Sequence, residues 1–292
     1  MAKARALDRR RKSIRNIRKI TRTMELIATA RFKKAMDRAH AATAYTKRIT
    51  QLVADLANSG LEVSHPLLEG REKTNRATLL VLTGNRGLCG GYNGNVQRAA
   101  FHRLAELQAE VPHVELEVSG KRGVSAFRFR GITPHETFTQ FEDKPSFEQV
   151  EVLANRYLES YVAGKLDRLE VAYTRFENVS RQSVAVETLL PLGSLSDAPP
   201  AAGSQQSQYE FLPSPQSILE EVVPTSFRIK LFKCFLDAAV SEQVARMVAM
   251  KAATENASKL IKELSMAYNR ARQSQITGEI MEIIGGVEAL KN

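Results

Sequence analysis

Cys89 and Cys234 are the only cysteines in 292 residues. They stand far apart in a chain with no signal-peptide-like segment, which argues against a disulfide framework and fits a reducing compartment. Nowhere do about 18 apolar residues follow one another, the length a membrane-spanning helix needs, so any membrane attachment is expected only through partners. His40, His65, His102, His113 and His135 show none of the short spacings of a metal site. No Gly-x-Ser-x-Gly elbow is present either. No catalytic, cofactor-binding or metal-ligating residues are therefore expected. Glycine and proline, the strongest helix breakers, are missing from the first 59 residues, Gly60 and Pro66 being the first of each.

In that first stretch apolar or small residues recur at Ile17, Ile20, Met24, Ala28, Ala35, Ala39, Ala42, Ile49, Leu52 and Leu56. The gaps of three, four and seven are coiled-coil spacing. A second stretch without glycine or proline runs over 225–277, with seam candidates Leu231, Phe235, Ala238, Ala245, Ala249, Ala252, Leu260, Leu264, Ala267, Ala271 and Ser274. The step from Ala252 through Leu260 to Leu264 reads as a stutter. Each helix would be on the order of 80 Å long at 1.5 Å per residue, more than a globular domain of this size can enclose. A lone helix of that length is poorly stabilised, and alanine-rich seams allow close approach, so the two are expected to pair antiparallel.

Charge is distributed unevenly. Residues 1–48 carry 16 Lys and Arg against Asp8, Glu25 and Asp37, so a chain of net charge +10 keeps its whole excess at one end. Such a surface faces acidic partners. A basic coiled-coil nucleic-acid-binding protein is the alternative reading. Against it, the charges run beside a continuous seam and few aromatics interleave to stack on bases. The Arg-rich start also has the composition of a transit peptide, but its pattern continues past residue 50, which favours mature protein.

Between the helices the period changes. Strands are expected over 78–82, 114–118, 169–176 and 183–190, and helices over 95–109, 121–130 and 147–164, which makes a small α/β domain with a partly parallel sheet. Residues 193–208, GSLSDAPPAAGSQQSQ, read as a flexible loop, and Pro224 is placed to start or kink the second long helix. The expected fold class is α/β: a long antiparallel coiled coil of the N- and C-terminal helices plus a central Rossmann-like α/β domain. Its divisions are 1–59, 60–212 and 213–292. The segment Leu82-Thr83-Gly84-Asn85-Arg86-Gly87-Leu88-Cys89-Gly90-Gly91 follows a strand and precedes a helix, where phosphate loops sit. It lacks both the Gly-Lys-Ser/Thr ending and the Gly-x-Gly-x-x-Gly spacing, so a tight glycine turn is the better reading.

Three stretches resemble the gamma subunit family of F-type ATP synthases: the basic helix over 14–36 around Ile20-Thr21-Arg22-Thr23-Met24-Glu25; the turn Arg86-Gly87-Leu88-Cys89-Gly90-Gly91-Tyr92-Asn93; and a C-terminal stretch from Ser241-Glu242 through Ala245-Arg246-Met247-Val248-Ala249-Met250-Lys251 to Asn269-Arg270-Ala271-Arg272-Gln273 and Ile276-Thr277-Gly278-Glu279-Ile280-Met281-Glu282. The resemblance implies a non-catalytic rotor shaft inside a ring of three alpha and three beta subunits. It implies a foot, with the turn Arg86, Gly87, Leu88, Cys89 and Gly90, that binds epsilon and the c-subunit ring. By the same resemblance Met24, Arg272, Gln273, Thr277, Glu279 and Glu282 are expected at rotor contacts, and the tip after Gly285 in an apolar sleeve. The complex would sit peripherally on the cytoplasmic face of a bacterial inner membrane, coupling proton flow to ATP synthesis or hydrolysis. Residues 190–212 hold no cysteine, so a thiol switch is not expected.

Overall fold

The computed structural model describes residues 2–57, 65–68, 70–71, 73–141, 144–192 and 215–291, with side chains left out at 2–3, 40–57, 215, 218 and 291. The expected loop over 193–208, both expected domain boundaries, and the seam positions Ala42, Ile49, Leu52 and Leu56 lie outside the described residues or side chains. Two compact units emerge, one of residues 30–245 and one of residues 1–29 with 246–292. Helix α1 (Ala2–Ala57) and helix α5 (Pro215–Lys291) contribute to both.

The larger unit is a doubly covered sheet. In chain order it holds β1 (Arg76–Leu82), α2 (Tyr92–Glu110), β2 (His113–Ser119), α3 (Lys121–Phe129), β3 (Glu136–Phe138), α4 (Phe147–Val162), β4 (Arg168–Asn178) and β5 (Arg181–Leu190). The strand order is β3-β2-β1-β4-β5, parallel except for the β4–β5 hairpin. β1 is the central strand, which is why its run from Ala77 to Leu82 is continuously apolar apart from Thr78: both faces are covered. Leu79 and Val81 pack with Val96, Leu104 and Leu107 of α2 and with Phe127 of α3. Leu80 and Leu82 face Val150 and Tyr157 of α4 and Leu231 and Phe235 of α5. At the start of α4, Ser146 and Gln149 form a reciprocal capping box. Asn178 Oδ1 accepts from the amides of Ser180 and Arg181, both at 2.9 Å, and so shapes the β4–β5 turn.

Buried charges in this unit are paired. Glu117 of β2 accepts from Arg156 Nη2 and from the Tyr157 hydroxyl, each at 2.5 Å. Burial, with that carboxylate adding to it, pushes the Tyr157 hydroxyl well above its ordinary range. Glu170 of β4 is gripped by Arg103 of α2 at 2.7 and 2.8 Å. Asp167 accepts from Arg71 at 2.8 Å and from the backbone amides of Asn75 and Arg76, fixing the entry to β1. Removing one partner of such a pair leaves an uncompensated charge and costs about 3–5 kcal/mol.

In the smaller unit α1 and α5 are paired antiparallel. Thr254 Oγ1 bonds Thr21 Oγ1 at 2.8 Å, and Arg11 stacks over the Tyr268 ring at 4.6 Å. The observed seam on α1 is Ala4, Leu7, Arg11, Ile14, Thr21, Met24 and Ala28; on α5 it is Met250, Thr254, Ala257, Ile261, Leu264, Tyr268, Ala271 and Gln275. This corrects the expected seam. Ile17, Ile20 and Leu260 are 44%, 59% and 43% exposed, and Ala252, Ala267 and Ser274 are exposed as well. The stutter disappears too, because steps of four and three run unbroken from Met250 to Gln275. Of the expected positions Met24, Ala28, Leu264 and Ala271 do face the seam, but hydrophobicity alone misplaced the rest: at a true 3.5-residue repeat, polar Thr21, Thr254 and Gln275 hold seam positions while Ile17, Ile20 and Leu260 point outward. Within the larger unit the expected Ala35 and Ala39 do pack on α5, against Leu236, Val240 and Val244.

The C-terminal helix runs beyond the glycine- and proline-free stretch 225–277 at both ends, since Pro224 lies inside it and Gly278, Gly285 and Gly286 do not end it. Strand β3 was not foreseen at all; three residues are too few for a period to show.

Candidate functional site

Thr83, at the end of β1, donates through Oγ1 to the Ser119 carbonyl at 2.8 Å and accepts from the Gly123 amide at 2.9 Å. Asn85 Oδ1 accepts from the Lys121 amide at 3.0 Å, and the Gly84 carbonyl accepts from the Arg122 amide at 3.2 Å. The first-turn amides of α3 are thus taken by the end of β1, which leaves no open helix N-terminus for an anion. Gly84 itself donates to Asn93 Oδ1 at 2.8 Å. Against its α-carbon lies the buried Glu242 carboxylate of α5, so close that a β-carbon would stand 2.6 Å from Oε1. The remaining cavity, bounded by Asn85, Tyr92, Ser119, Phe141 and Phe235, holds only about 50 Å³. In a doubly wound sheet, phosphates bind beside the carboxyl ends of the strands. Here that place is occupied by the buried Glu242 side chain.

The turn residues fall into distinct roles. Arg86 is exposed. Gly87 is covered by the Arg122 guanidinium, whose Nη2 would lie 2.5 Å from any β-carbon. Leu88 is 61% exposed at a backbone φ of 63°, a left-handed conformation unusual for a leucine. Gly90 shares that region at 56° without steric cost. Cys89 is buried, and its sulfur accepts from Asn93 Nδ2 at 3.1 Å. Cys234 is also buried and far from it in sequence; burial raises its thiol well above the ordinary range, which keeps it protonated.

Of the expected rotor-contact residues, Met24 is half-buried, and Arg272, Gln273, Thr277, Glu279 and Glu282 are exposed. Glu279 accepts from Gln275 at 2.8 Å. Arg272 lines an open groove of about 410 Å³ with Arg5, Asp8, Arg9, Tyr268 and Gln275. Lys12 and then Arg11, at 3.1 and 2.6 Å, hold the Asp8 carboxyl below its usual range. Beyond Gln275 every described side chain of α5 is exposed, including Ile276, Ile280, Ile283, Ile284, Val287 and Leu290. Sequence reading missed Glu242 and Tyr92 as site residues because nothing local distinguishes a carboxylate on a helix from one that is driven into a sheet end. The available signal was their position at the edges of two separate motifs.

Residues 3–290 match the family model described as ATP synthase. A protein of Rhodopirellula baltica named ATP synthase gamma chain is 65% identical over 295 residues, covering 100% of both chains. A Leptospira biflexa protein of the same name is 36% identical over 290 residues, covering 99% of this chain and 100% of its own. A chain from a Euglena gracilis mitochondrial ATP synthase assembly with F1 and c-ring superposes with a TM-score of 0.67 at 19% identity, covering 99% of this chain and 95% of its own. A Tetrahymena thermophila central-stalk and c-ring structure gives 0.56 at 19% identity, covering 80% and 99%.

Proposed function

Because the chain belongs to the ATP synthase gamma chain family, we propose that it is the central-stalk rotor of an F-type ATP synthase, coupling proton flow through a membrane sector to ATP synthesis or hydrolysis on other subunits. In this reading the chain is not itself catalytic. The 65% identity over the full length of both chains carries it. The nucleic-acid alternative finds no support among the relatives.

The residue types suit the task. Small seam residues such as Ala28, Ala257 and Ala271 let two helices approach closely. Long cationic side chains on the outer face attract acidic partner loops without locking a register. As the shaft turns, each beta site meets a different side of it, and these differential contacts bias the site among conformations of unequal nucleotide affinity. Segments 1–59 and 213–292 would form the shaft inside an alpha-beta ring of three pairs, with rotor contacts at Met24, Arg272, Gln273, Thr277, Glu279 and Glu282 and the tip after Gly285 in an apolar sleeve. Segment 60–212, with the turn from Arg86 to Gly90, would form the foot on epsilon and the c-ring. No helix among the described residues is long and apolar enough to cross a membrane, so attachment to the cytoplasmic face of a bacterial inner membrane would be peripheral.

Pull-down of the tagged chain from native membranes should recover alpha and beta subunits at a three-to-one excess over it. A stoichiometric complex without them would sink the rotor reading. Calorimetric titration of the isolated chain with ATP should give no saturable heat, because the amides at the end of β1 are already bonded within the chain.

A further inference from the structure

We propose that residues 228–242 of α5 are seized by a polar clamp that carries torque between this helix and the sheet, an inference that rests on the rotor reading. Along this stretch α5 is surrounded by apolar contacts: Phe227, Leu231 and Phe235 on the sheet side, and Leu236 and Val240 against Ala35 and Ala39. Apolar contact is non-directional: it keeps these faces of the helix inward but does not by itself fix the helix's angle finely. Hydrogen bonds have preferred angles and lengths and do fix it.

Three hydrogen bonds and one close approach reach α5, each from a different part of the sheet unit. The Tyr92 hydroxyl, at the start of α2, donates to the Ala238 carbonyl at 3.0 Å. Ser241 Oγ donates to the Thr174 carbonyl of β4 at 3.3 Å. Arg228 Nε donates to Asn155 Oδ1 of α4 at 2.8 Å. The Glu242 carboxylate is lodged against Gly84 after β1, where any side chain would collide with it. At about 100° per residue these four positions spread over roughly 140° of the helix circumference, so a turn in either sense strains at least one of them. Tyr92 is the next-to-last residue of the second sequence motif, and Ser241-Glu242 opens the third. The clamp is where those two otherwise unrelated stretches meet.

The test uses the assembled, membrane-bound complex with Tyr92→Phe plus Ser241→Ala, and separately with Gly84→Ala. ATP hydrolysis and ATP-driven proton pumping are read from inverted vesicles of one preparation, normalised to assembled complex. The clamp predicts normal assembly and hydrolysis with the pumping-to-hydrolysis ratio halved or worse. A purely structural role would reduce the amount of complex and leave that ratio alone. An unchanged ratio in assembled complexes therefore overturns the clamp. So does loss of assembly from Tyr92→Phe by itself, since removing one hydroxyl would then have unmade the fold. If the unaltered chain fails to co-purify with an alpha-beta ring, the rotor reading falls first and the clamp with it.

Discussion

Ala257 is 4% exposed in the unit formed by α1 and α5, whereas Ala267 faces solvent. A carboxylate at position 257 would have to be buried unpaired between close helices, costing a few kcal/mol, while at 267 it would stay hydrated. Thermal denaturation of the isolated chain should show Ala257→Asp clearly destabilised and Ala267→Asp within error of the parent; equal melting temperatures would put the seam elsewhere. His65 poses a second residue-scale question. It is buried, its Nδ1 accepts from the Leu67 amide at 3.1 Å, and burial lowers its pKa against the weaker opposing pull of Glu220. The unfolded chain takes up this proton near pH 6.5 and the folded chain only at lower pH, so stability is fully present above about 6.5 and is lost as pH falls below it. His65→Asn retains an acceptor and cannot titrate. Its melting temperature should drop less than the parent's between neutral pH and mild acid, and parallel curves would rule out His65 as the source.

At the scale of the element, α5 changes character along its length. Up to Val244 it is a core helix, from Met250 to Gln275 it shows one face to α1, and from Ile276 to Leu290 its side chains are exposed all round. A solvated helix of this kind contributes little to folding, so side chains on its outer face have value only through contacts elsewhere. Replacing Arg272 and Gln273 together by Ala should therefore leave the isolated chain's melting temperature and the assembly of the complex unchanged, and lower ATP-driven proton pumping. Each charged hydrogen bond to a partner is worth about 1.5–3 kcal/mol, enough to alter transmission between states. Native gels and fluorescence quenching on the same vesicles would check both halves. Failed assembly would assign these residues to the fold, and undiminished pumping would remove them from the coupling surface.

For the molecule as a whole, segment 193–208 offers almost no apolar side chain to bury. Deleting 196–206 should leave assembly intact on a native gel, and loss of the complex would mean that the segment holds a partner. Composition and period alone were sufficient for the two long helices and for seven of the eight elements between them, all but β3: the absence of glycine and proline, and the switch from a 3.6 to a 2 period, are local properties that each segment carries regardless of its neighbours. The family was legible because the motifs around Met24, Cys89 and Arg272 stand in order along the chain. Which heptad positions form the seam was not legible, since Thr21 and Thr254 are polar by composition and become interior only when each meets the other. Nor was the crossing of Tyr92, Thr174 and Glu242 at the end of β1. Those residues are 68 or more positions apart in sequence, and only closure of the sheet against α5 sets a carboxylate on Gly84 and a tyrosine hydroxyl on a helix carbonyl.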